Sequence, residues 1–214
     1  LAERKSVKSM NLRRWIWSLA LAAAAGWAGA LAEPLAVGEV KVDAAARSLW
    51  FPATVNMREG QVEYFVVHET GKIHESLFKT TVGARDIHAA ALLFSTSATN
   101  RLQIKAIEVS WQEGAETKRV QAADLIYDKD RRRVLKETRW AYRGSRVVDG
   151  IFLAQRDGSQ IAIMEDRDAL IDQNTPDAAN DENWTPVNMP PPGTTVEIRL
   201  VFEKPAEQSQ KPAE

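Results

Sequence analysis

The sequence predicts a β-rich α+β domain: an antiparallel sheet of sandwich- or barrel-like form with one short helix after a central hairpin. Three observations lead there. Apolar and polar residues alternate in several short runs, most cleanly at Val196, Ile198, Leu200 and Phe202, as half-buried strands require. Glycine-containing turns punctuate the chain between those runs, notably Glu69-Thr70-Gly71 and Asp157-Gly158. A single stretch, Arg85 to Phe94, places Ile87, Ala90, Ala91 and Phe94 on one helical face.

The elements follow in order. Val40 and Val42, then Leu49, Phe51, Ala53 and Val55, alternate as two strands around the turn Asp43 to Arg47. Pro52 implies an edge position or a bulge, because proline cannot donate to a ladder. Val62 to His68 and Ile73 to Thr80 predict the central hairpin. With Gly71 left-handed after a type I turn, a G1-bulge register sets Val66 opposite His74, Tyr64 opposite Ser76 and Phe65 opposite Glu75. The helix comes next, with Asp86 at its positive end.

Ile107, Val109 and Trp111 predict a strand ending in the turn Glu113-Gly114. Val120 to Tyr127 reads as a strand, although Ala122-Ala123 favours helix. Val134 to Tyr142 predicts another strand, and Arg143-Gly144-Ser145 a tight corner. Ile151 to Leu153 and Ile161 to Ile163 flank Asp157-Gly158, which predicts a second hairpin. Asp168 to Ile171 makes at most one or two helical turns. Asp172 to Gly193, acidic and proline-rich, is expected on the surface as a long loop. Val196 to Phe202 forms the last strand. The domain is thus a single one over residues 33–203, followed by a disordered tail over 204–214 that lacks an apolar pattern.

The first 32 residues read as a signal peptide. Arg4, Lys5, Lys8, Arg13 and Arg14 precede an uncharged apolar run from Trp15 to Leu31, which closes on Ala30-Leu31-Ala32. Met10 is a candidate initiator. Cleavage after Ala32 leaves 182 residues with 23 basic and 28 acidic side chains, a net charge of −5. The expected location is outside the cytoplasm, periplasmic or secreted, and free of the membrane once the leader is removed. A mildly acidic domain is a poor partner for nucleic acid, which demands clustered cations. The one basic cluster, Arg131-Arg132-Arg133, follows Asp128 and Asp130 and reads as a solvated turn. The chain has no cysteine, which excludes disulfides, thiolate zinc sites, iron–sulfur clusters and cysteine nucleophiles.

All three histidines fall between Gln61 and Phe94. Three readings follow. His68, His74 and His88 are candidate ligands for a divalent metal such as zinc, although their spacing matches no metalloenzyme motif. Ser76 is a candidate nucleophile beside His74 or His88, without a Gly-x-Ser-x-Gly elbow to support it. The third reading is structural: the polar groups satisfy one another on a mixed sheet face, with Tyr64, His74, Glu75, Ser76 and His88 as a recognition patch. Asp177, Asp181 and Glu182, with Asn180 and Asn183, offer oxygen ligands to calcium but lack the D-x-D-x-D-G pattern. Trp184 is expected to pack.

At Phe51-Pro-Ala-Thr-Val-Asn-Met57, Val62-Glu-Tyr64, Gly71-Lys-Ile-His-Glu-Ser-Leu77 and Ile87-His-Ala-Ala90, the chain resembles the YdjY-like domain of exported bacterial proteins. Trp140, Gly144-Ser145, Asp168-Ala-Leu170 and Asn183-Trp184 extend the resemblance. It implies export, and in some relatives fusion to a ferredoxin-type iron–sulfur segment. The absence of cysteine means that no such cofactor carries over. The resemblance implies no activity. The expected function is a noncatalytic module that binds a protein or envelope component; the alternative is a metal-binding protein or metal-dependent enzyme centred on His68, His74 and His88.

Overall fold

Alternating runs become strands that bury one face, and the sheet they build curls round that face. The computed structural model describes residues 35–95, 102–135, 138–180 and 182–204, all within one compact unit, Pro34–Glu214. The expected signal peptide, residues 205–214 of the expected tail and Asp181 lie outside the described residues.

The first half of the domain comprises β1 (Leu35–Val37), β2 (Val40–Asp43), β3 (Ser48–Val55), β4 (Tyr64–His68), β5 (Ser76–Thr80), α1 (Ala84–Leu92), β6 (Ile104–Glu113) and β7 (Glu116–Gln121). The second half adds β8 (Ile126–Asp128), β9 (Arg133–Val134), β10 (Trp140–Tyr142), β11 (Val147–Val148), β12 (Ile151–Phe152), α2 (Leu153–Asp157), β13 (Ser159–Ala162), β14 (Ile171–Gln173), β15 (Trp184–Pro186) and β16 (Thr195–Phe202). The main sheet runs β10-β14-β13-β4-β5-β3-β16-β6-β7, with β2 and then β1 added beside β3. A bridge between Gln103 and Ala141 joins the start of β6 to β10. The sheet therefore closes on itself in a barrel-like ring. Most of its pairs are antiparallel; β4/β5 and β13/β14 are parallel.

The interior is apolar and continuous. Leu49 and Phe51 of β3, Ile107 and Val109 of β6, and Ile198 and Leu200 of β16 are buried in one cluster. Phe65 meets Phe78 edge-on at 5.1 Å and Trp140 at 6.0 Å. The helix adds Ile87, Ala90, Ala91 and, just past its end, Phe94, all buried as its periodicity requires.

Pro52 sits on an inner strand without loss. Backbone N–H groups alternate sides along a strand. Val55 N–H points toward β16, bonding Thr194 O, so residue 52 points to the other flank. There β2 pairs with Asp43-to-Lys41 partners only up to Trp50, and β5 begins only at Thr54. Pro52 falls in the gap, and its carbonyl accepts from Thr80 Oγ1 at 2.6 Å.

Five expectations are corrected. The central hairpin is a parallel pair: Tyr64 neighbours Ser76, Val66 neighbours Phe78, and His68 neighbours Thr80. The chain returns through a single 3-10 turn, Ile73–Glu75. Gly71 is not left-handed. It is glycine because a Cβ there would stand 2.9 Å from Asp157 O and 3.2 Å from Gly158 Cα. The Val66–His74 and Phe65–Glu75 pairings do not form.

Asp157-Gly158 is the end of α2 rather than a hairpin, with Gly158 at φ 70 as the left-handed cap. Beyond it β13 runs between β4 and β14. The strand expected over Val120 to Tyr127 breaks at Gln121, whose side chain caps a 3-10 turn, Ala122–Leu125, reciprocally with Asp124. Val134 to Tyr142 divides between β9 and β10, which belong to different sheets. The expected surface loop Asp172 to Gly193 contributes β14 and β15 and buries Asp172, Gln173, Asn183 and Trp184. Its polar groups are paired inside: Asp172 with Arg143, and Asn183 with Asp128. Trp184 packs fully, as expected.

Candidate functional site

The three histidines meet three separate environments. His68, at the end of β4, holds Thr70 Oγ1 at 2.7 Å from Nδ1. His74 lies in the 3-10 turn with its side chain 77% exposed and Glu75 at 3.7 Å. His88 sits half-buried on α1, its Nδ1 2.8 Å from the Tyr142 hydroxyl. Among the described residues, no group of three or more His, Cys, Asp or Glu is placed to hold a metal ion. Asp128, Asn183, Asp130 and Asn180 bond to one another beside the expected calcium loop.

Ser76 is buried, and Asn56 Nδ2 approaches its hydroxyl at 3.4 Å and its carbonyl at 2.9 Å. No histidine bonds it. Tyr64 of the expected recognition patch stands one strand away. Its hydroxyl accepts from Lys72 Nζ at 2.8 Å and donates to Asp166 Oδ2 at 3.0 Å. Burial pushes the Tyr64 phenol up to about 12, against the opposing pull of Lys72. Burial pulls Lys72 down, but its bonds to Tyr64 and Glu75 outweigh this and raise it. Lys72 also lies 3.4 Å from Glu75. The structure thus brings Tyr64, Glu75 and Ser76 into one neighbourhood through Lys72 and β5, leaves His74 at its exposed edge, and places His88 elsewhere.

His88 lines a cleft of about 800 Å³ together with Leu92, Tyr142, Gly144, Arg146 and Asn174. Its position follows from the helix: Ile87, Ala90 and Ala91 face the core, so His88 and Leu92, one turn apart, look outward across β10. Tyr142 lies almost parallel to it, 4° between ring planes, and Phe152 tilts against it at 5.4 Å. Gly144 is left-handed at φ 72, and a Cβ there would approach His88 Cε1 at 3.3 Å. Burial lowers the His88 pKa and raises that of Tyr142. Both groups are therefore neutral at pH 7. We assign the hydroxyl as donor to Nδ1, which leaves the imidazole proton on Nε2.

The floor beyond is cationic but compensated. Arg143 Nε holds Asp172 at 2.8 Å, Arg146 Nε holds Asp168 at 2.6 Å, and Arg167 Nε faces Glu165 at 3.5 Å. Burial raises the Asp172 carboxyl, and Arg143 offsets only part of it. The Ser145 hydroxyl is engaged twice, donating to Asp168 O and accepting from Ala154 N. Such a cleft offers shape, a neutral imidazole and paired charge.

A family model described as the YdjY domain matches residues 40–201. The chain belongs to the YdjY family. That span runs from the start of β2 to the penultimate residue of β16 and includes His88, Tyr142 and the arginines of the cleft. Comparison with curated proteins and with solved structures finds no match.

Sequence reasoning missed the hairpin that follows Arg146 of this YdjY cleft. Asp149 at φ 52 and Gly150 at φ 77 make the two-residue turn joining β11 to β12, the geometry of a type I′ hairpin. The signal was present as Asp-Gly between Val147-Val148 and Ile151-Phe152. The other Asp-Gly, at 157–158, masked it. Val147 is 66% exposed, Val148 44% and Ile151 47%.

Proposed function

We propose that this YdjY domain is an exported, noncatalytic binding module of the bacterial envelope, and that a protein partner docks on the rim of the His88 cleft. One observation carries the reading. Seven large hydrophobic side chains are exposed among the described residues, and five of them are Leu92, Leu93, Val147, Val148 and Ile151. Leu92 and Arg146 line the same cleft, and Val147 directly follows Arg146. Apolar side chains gathered beside a concave surface mark an interaction site, whereas scattered ones need no explanation.

The chemistry of the floor supports contact rather than catalysis. The arginines are already paired, so they orient a partner's polar groups without a strong net field. Neutral His88 is engaged at Nδ1, and the Ser145 hydroxyl has both its bonds. Export is supported by the basic, apolar and small-residue order of residues 1–32.

The test uses cells expressing the full chain with a photoreactive residue in place of Val148, and separately in place of Lys118 as a control. We expect a discrete protein adduct from position 148 alone, in the periplasmic fraction, with the recovered chain beginning at Glu33. Equal labelling from both positions, or retention of the chain in the cytoplasm, would overturn the reading.

A further inference from the structure

The outward face of the sheet holds a second concave surface, which shares no lining residue with the His88 cleft. Strands β2, β3, β16, β6 and β7 lie side by side. Buried Phe51, Ile198 and Val109 mark their inward positions, so the alternate residues face out. These residues wall a cavity of about 610 Å³.

We propose that this face binds an uncharged polyhydroxylated ligand, a neutral oligosaccharide chain. Trp50 lines the cavity from the outward face, half-buried and with Arg199 over one side of its ring at 5.9 Å, which leaves the rest of its indole surface for the C–H face of a sugar ring. Trp111 lines the cavity too, but from the inward register, packed against the core. Lys41 and Arg119 are matched there by Glu39 and Glu197. The charges cancel, so the face attracts neither an anionic nor a cationic polymer.

The polar groups are nonetheless unspent. Among the described residues, Lys41, Glu39 and Glu197 make no side-chain hydrogen bond or ion pair, and Arg119 reaches Glu108 only at 3.9 Å. Register sets their spacing. Glu197 neighbours Ser110 across one strand boundary, and Ser110 neighbours Arg119 across the next. Carboxylate and guanidinium therefore rise from backbones two strand spacings apart, about 10 Å. A sugar ring fits between them, its vicinal hydroxyls donating to the carboxylate and accepting from the guanidinium fork. A nucleic acid or acidic glycan would face Glu39 and Glu197, and a basic peptide would face Lys41 and Arg119.

Calorimetric titration of the purified protein tests this with tetra-N-acetylchitotetraose and maltotetraose as uncharged probes. Tetragalacturonate and tetralysine are the charged comparators. We expect saturable binding of at least one uncharged probe, with Kd raised about tenfold or more by Trp50→Ala and by Glu197→Ala. That Kd should change less than about twofold between roughly 50 and 500 mM salt. If Trp50→Ala does not fold, Arg119→Ala on the exposed edge strand gives the same readout. Failure of both uncharged probes to bind, binding confined to a charged comparator, or wild-type affinity in the folded variants would overturn the proposal. Ile151→Asp, on the other surface, should leave this binding unchanged.

Discussion

The guanidinium of Arg143 reaches the fully buried carboxylate of Asp172 at 2.8 Å and thereby ties β10 to its neighbour β14. Arg143 is itself only 30% exposed. Removing one partner from such a pair leaves the other without compensation inside the protein. Arg143→Ala should therefore cost about 3 kcal/mol, read as a lower urea midpoint. Arg143→Met combined with Asp172→Leu should recover much of that loss. Equal midpoints for wild type and Arg143→Ala would show that the pair contributes nothing.

His88 makes stability depend on pH in a defined direction. Its folded pKa lies below the unfolded value of about 6.5. The unfolded chain then binds the proton more readily, so stability rises with pH through the window between the two values and is lost as pH falls. The slope of urea midpoint against pH below about 6.5 should flatten in His88→Asn. An unchanged slope would locate the dependence elsewhere. Asp128, held low despite burial by hydrogen bonds from Arg131 and Asn183, acts in a more acid window. Its contribution is present above the usual carboxylate value of about 3.9 and disappears as pH falls through its folded pKa.

Gly71 and Gly114 separate two reasons for glycine. A Cβ at Gly71 would strike the backbone of Asp157 and Gly158, at 2.9 and 3.2 Å. Gly71→Ala should cost about 2 kcal/mol or more, because two chain segments must move apart. Gly114 has φ 65 and open space around it. Gly114→Ala should cost only about 1 kcal/mol of left-handed strain. Thermal midpoints of the two variants would compare them directly, and the reverse order would refute the close-approach account.

Tyr64→Phe removes the hydroxyl that links Lys72 to Asp166. The ring still fills its place, so the expected loss is about 1–2 kcal/mol. Hydrogen exchange should quicken at Asp168, whose amide bonds Asp166 Oδ1 at 2.8 Å. Unchanged exchange there would mean that the turn holds without the tyrosine.

The strands that could be read from sequence were those with one wet face. β3, β6 and β16 alternate because one side packs and the other does not. The helix was legible for the same reason at a different period. What failed depended on distant neighbours. Gly71 looks like a turn glycine until Asp157 is placed beside it. β13 is buried on both faces and gives no alternation. Asp172 and Asn183 looked solvated because their partners, Arg143 and Asp128, lie 29 and 55 residues away in the chain. Within the site, His88 was legible as a polar group on an apolar helix. Tyr142 was not, since nothing local announces that β10 passes in front of α1.

The place of β16 bears on how the chain reaches this shape. Residues 195–202 lie between β3 and β6, and Leu200 pairs with Leu49 on one side and Ile107 on the other. Until that segment has emerged, β3 and β6 have no strand between them. Contacts spanning so much sequence form slowly. A growing chain of this design therefore leaves β3 and β6 unjoined until residues 195–202 have been made.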